Sequence, residues 1–107
     1  MPNRDAKDPV TLTPEQLLEA TFPVMPGIFI AHNTTQQRYH IRMSDGVYQL
    51  AQRLFRGYEN QNVYRDFQNG DKFSITIRPL ESSGLYSLVT LAQHYIDRYC
   101  ANEDNYA

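Results

Sequence analysis

The chain has 107 residues, of which 41% are hydrophobic and 21% charged, and its formal net charge is −2. That is enough chain for one domain with one core and too little for two. The slight acidic excess argues against wholesale binding to nucleic acid or to an anionic membrane, which requires a surplus of basic charge.

The charge is unevenly spread. Residues 36–79 carry seven basic against four acidic side chains, while 1–35 carry two against four and 80–107 one against four. A basic centre thus lies between acidic ends. The single cysteine, Cys100, has no partner for an internal disulfide, which reads as a cytoplasmic domain that needs no staple. The opening Met1-Pro2-Asn3-Arg4-Asp5 lacks the apolar stretch of a signal peptide, and no window approaches the roughly 20 apolar residues of a membrane span.

Residues 1–12 are polar and without period, and read as disordered or loosely docked. Thr13-Pro14-Glu15-Gln16 is a capping box with proline at the first helical position, so a short helix is predicted over 14–21. Residues 27–32 are β-branched and aromatic, 33–36 are turn material, and 37–43 alternate. Tyr39, Ile41 and Met43 point one way there, and Arg38, His40 and Arg42 the other, which predicts a hairpin over 27–43. Ser44 and Asp45 then open an amphipathic helix over 45–58, with Gly57 as a candidate stop.

Asn69-Gly70 is a strong two-residue hairpin signal, so residues 62–68 and 71–78 read as a second hairpin closed by Pro79. Phe73, Ile75 and Ile77 face inward in that reading, and Lys72, Ser74, Thr76 and Arg78 face solvent. Ser82 or Ser83 caps a last helix running to Tyr99 or Cys100, followed by an acidic tail over 101–107.

Two stretches resemble each other within the chain. Ile41-Arg42 leads into Ser44-Asp45-Gly46-Val47-Tyr48-Gln49-Leu50, and Ile77-Arg78 into Ser82-Ser83-Gly84-Leu85-Tyr86-Ser87-Leu88. The expected fold is therefore α+β: a pseudo-repeated ββα–ββα domain over 13–100. It has a four-stranded antiparallel sheet, two helices on one face, a short N-terminal helix and a solvated second face. Sheet edges left by the hairpins offer a route to a homodimer.

The sequence offers little for catalysis. His32, His40, His94 and Cys100 show no metal-ligand spacing, no serine sits in a nucleophile elbow, and no glycine cluster cradles a phosphate. Neither enzyme activity nor a cofactor is expected. What remains is surface. Arg38, His40 and Arg42 on one strand, with Lys72 and Arg78 on another, would form a basic platform if their strands shared a solvated face. The stretch containing Tyr58, Tyr64 and Arg65 is a second candidate, because tyrosine and arginine often anchor interfaces. The expected function is a non-catalytic protein-binding module, an inhibitor, regulator or adaptor of a larger machine. Accessory proteins of phages or mobile elements, such as inhibitors of host defence, are the class it suggests. The alternative is nucleic-acid binding through the basic sheet face.

Overall fold

In a computed structural model, the structure describes residues 10–80. The elements run β1 (Val10–Leu12), α1 (Pro14–Glu19), β2 (Gly27–Asn33), β3 (Arg38–Ser44), α2 (Val47–Leu54), α3 (Gln61–Gln68) and β4 (Phe73–Pro79). The last helix expected over 82–100, with His94 and Cys100, lies outside the described residues, as do residues 1–9 and the tail.

The fold is α+β with a four-stranded antiparallel sheet in the order β1-β4-β2-β3. The capping box forms as read. Thr13 Oγ1 accepts from Gln16 N at 3.1 Å and Gln16 Oε1 accepts from Thr13 N at 2.9 Å. The hairpin β2–β3 also forms, with Gly27 opposite Ser44 and Asn33 opposite Arg38. Its polar turn is bound to the start of β4: Thr34 N donates to Lys72 O at 2.8 Å, and Lys72 N to Thr35 Oγ1 at 2.9 Å.

The second hairpin is a correction. Residues 61–68 form α3 instead of a strand, capped by Asn60, whose side chain accepts from Asn62 N and Val63 N. Asn69-Gly70 closes this helix. Gly70 N donates to Phe67 O at 3.1 Å and Asp71 N to Asp66 O at 3.1 Å, the paired bonds of a Schellman cap. Only Gly70 has positive φ, at 98°, whereas Asn69 is right-handed. A type I′ turn needs positive φ at both positions, so the dipeptide here serves a helix end. The fourth strand is β1, from residues that read as loosely docked; it pairs with β4, Val10 opposite Ile77 and Leu12 opposite Ile75. Because a helix precedes β4, the repeated ββα–ββα arrangement is not confirmed.

The two faces also differ from expectation. Residues directly opposite in an antiparallel ladder point to the same face. Phe29, opposite both Arg42 and Ile77, and Ala31, opposite both His40 and Ile75, share one face. There they join Leu17, Val47, Ala51, Leu54, Phe55 and Val63 in the main core, so α1, α2 and α3 all contribute to this layer. The opposite face, read as solvated, has a buried centre. Ile28 and Ile30 are 0% and 4% exposed, with Tyr39, Ile41 and Leu80 packed against them. As a strand apolar on both sides, β2 reads Ile-Phe-Ile-Ala without alternation.

Candidate functional site

The register divides the expected basic platform. Arg38, His40 and Arg42 lie on the helix-bearing face, opposite Asn33, Ala31 and Phe29. Arg78 lies on the other face, opposite Ile28, and Lys72 precedes β4 with an exposed side chain. His40 is not a surface residue: it is 7% exposed, its ring 6.1 Å from that of Phe29. Burial lowers its pKa to about 4, with the Arg42 guanidinium adding to the effect and Glu59 opposing it.

The structure gathers another set of charges around the end of α2. Tyr58 N donates to Arg53 O at 2.9 Å and Gly57 N to Leu54 O at 3.4 Å, again a Schellman arrangement. Gly57 takes the left-handed position at φ 91°, so the candidate stop read from the sequence is in place. The chain reverses directly into α3. Gln61 Nε2 donates to Gly57 O at 2.8 Å, and the Tyr64 ring lies where a side chain on Gly57 would begin. Buried Phe55 before the turn and buried Val63 after it anchor both ends in the core.

This construction holds Tyr58 outward, at 69% exposure, on a connector pinned at both ends. Arg53 and Arg56, on the last turn and cap of α2, are exposed beside it. Next along the chain, Glu59 Oε1 meets Arg42 Nη1 at 2.6 Å and fastens the connector to β3. Among the described residues, Arg42, Arg53 and Arg56 against Glu59 give this patch a formal excess of two positive charges. Of the residues singled out from sequence, Arg42 and Tyr58 come together here. Tyr64 packs inside the connector, where it accepts from Gln68 Nε2 at 3.0 Å. Arg65 is exposed on α3, 3.5 Å from Asp66 of the same helix.

Arg53, Arg56 and Glu59 were not among the expected site residues. Arg53 and Arg56 could have been found from the helical period, which puts them on the polar side of the helix expected over 45–58, whereas nothing near Glu59 in the sequence marks its partner Arg42, 17 residues away. A second feature lies between the first turn of α1 and the α3–β4 connector, a cavity of about 290 Å3 bordered by Glu15, Asp71 and Lys72 among others. Asp71 there accepts from Asn33 Nδ2 at 2.8 Å and Gln36 Nε2 at 2.6 Å, which ties it to the β2–β3 turn.

Among the described residues no group of three or more His, Cys, Asp and Glu could hold a metal ion, and no helix is long and apolar enough to cross a membrane. Comparisons with protein-family models, curated proteins and solved structures found no match.

Proposed function

We propose that the chain is a non-catalytic protein-binding module, acting as an inhibitor, regulator or adaptor through the surface around Tyr58. The observation that carries this reading is Tyr58 itself, 69% exposed on a connector fixed by two helix caps, with Arg53 and Arg56 exposed at the end of α2 just before it. An aromatic ring held outward costs little further ordering on binding, and tyrosine and arginine are over-represented among the residues that dominate interface energy. The alternative of nucleic-acid binding through a basic sheet face loses its support, because the register sends Arg42 and Arg78 to opposite faces.

Affinity capture from cells that carry the protein tests the reading, with wild type and Tyr58→Ala compared after nuclease treatment. Stoichiometric retention of one protein by wild type and its loss from Tyr58→Ala is the expected outcome. Equal retention by both chains, or retention abolished by nuclease, contradicts it.

A further inference from the structure

Resting on the Tyr58 surface as a protein-binding site, we infer that its partner is an acidic protein surface: an apolar pocket for the tyrosine ring, rimmed by carboxylates for Arg53 and Arg56. Three observations favour this occupant. First, Tyr58 stands out from the surface, so its complement is concave; a phenol ring buries its apolar body while its hydroxyl stays at the edge. Second, Arg53, Arg56 and Tyr58 are all exposed at the same helix end, where Tyr58 N donates to Arg53 O. Guanidinium groups pair with carboxylates through two parallel hydrogen bonds, which gives both orientation and attraction. Third, Glu59, the carboxylate that follows Tyr58 in the chain, is engaged by Arg42 at 2.6 Å. It therefore neutralises Arg42, whereas among the described residues Arg53 and Arg56 form no salt bridge.

The same features weigh against the other occupants. A second copy of this chain, docked through the same patch about a two-fold axis, would set arginines against arginines. A nucleic acid would meet a formal excess of only two positive charges, which releases few counterions, too few for firm phosphate-driven binding.

Random 16-residue peptides displayed on phage, panned against the full chain, provide the test. Eluted phage are sequenced without any depletion, and the enriched peptides are synthesised for titration against wild type, Tyr58→Ala and Arg53→Glu/Arg56→Glu. Circular dichroism of each variant establishes that it is folded. The expected peptides carry Asp or Glu around aliphatic or aromatic residues. They should bind wild type at least tenfold more tightly than either Tyr58→Ala or the charge-reversed variant, and weaken as salt rises. Neutral or basic peptides that still need Tyr58 would overturn the acidic partner and leave the protein-binding reading standing. Peptides indifferent to Tyr58, or none enriched, would overturn both. A fluorescein-labelled DNA duplex serves in parallel: submicromolar binding lost in the same variants would assign the patch to nucleic acid instead.

Discussion

Arg42 lies opposite Phe29 and Arg78 opposite Ile28, so two adjacent positions of β2 mark guanidinium groups that leave the sheet through opposite faces. Arg42 joins the helix-bearing side and reaches Glu59 at the Tyr58 connector. Arg78 belongs to the side of Ile28 and Ile30. The two arginines therefore serve different surfaces. Arg42→Ala should weaken binding of the captured partner several-fold, and Arg78→Ala should leave it unchanged within twofold. Calorimetric titration of both variants and the double checks this; an Arg78→Ala loss equal to that of Arg42→Ala contradicts it.

Ile28 tests whether both faces of the sheet are buried. At 0% exposure its truncation to alanine should cost about 2–5 kcal/mol, the range for large-to-small core changes. Leu54→Ala, in the helix-side core, should cost a similar amount. Urea denaturation gives both values. A cost below about 0.5 kcal/mol for Ile28→Ala, as for a surface change, would restore a solvated face.

The two helix caps differ in a measurable way. Gly57 and Gly70 both hold positive φ, at 91° and 98°, which costs an L-residue about 1–2 kcal/mol. A methyl group at Gly70 meets nothing within 4 Å, but at Gly57 it would come within 3.0 Å of the Tyr64 ring. Gly57→Ala should therefore destabilise more than Gly70→Ala, by about 1 kcal/mol for the displaced ring. Equal losses in denaturant melts would show that Tyr64 is not held against the turn.

His40 gives stability a pH dependence. In the unfolded chain it titrates near 6.5, and in the folded chain burial holds it to about 4. Between those values the unfolded chain binds the extra proton, so stability is full above about pH 6.5 and falls as pH drops towards 4. The loss attributable to this group is at most about 3 to 4 kcal/mol, the roughly 2.5 pH units between those values at about 1.4 kcal/mol each. His40→Gln should flatten that portion of the profile in urea melts at pH 7, 5.5 and 4.5. An unchanged slope would place the titration elsewhere.

Local chemistry was legible in the sequence wherever a few neighbouring residues decide the structure. Thr13 to Gln16 wrote its own cap, the alternation after Gln37 gave a strand, and Val47, Ala51 and Leu54 marked the buried side of α2. Asn69-Gly70 failed because a glycine with positive φ serves a hairpin and a helix cap equally well. The choice was made upstream by Asn60, whose side chain starts α3. β1 was missed because three residues carry no period; its pairing with β4 supplies what its sequence does not. The platform failed for a different reason. Alternation divides one strand into two sides but cannot say which side meets which side of the neighbour, and a one-residue step exchanges them. The site was half legible: Tyr58 stood out by residue type, whereas its company with Arg42 depends on an ion pair between residues 17 apart in the chain.

The central claim, that the Tyr58 surface binds a protein, is tested most directly by placing a benzophenone amino acid at position 58 and irradiating living cells. The same group at exposed Thr21 serves as control. One discrete protein adduct from position 58, resistant to nuclease and missing from position 21, is the predicted result. No adduct, the same adducts from both positions, or an adduct that nuclease removes would contradict it.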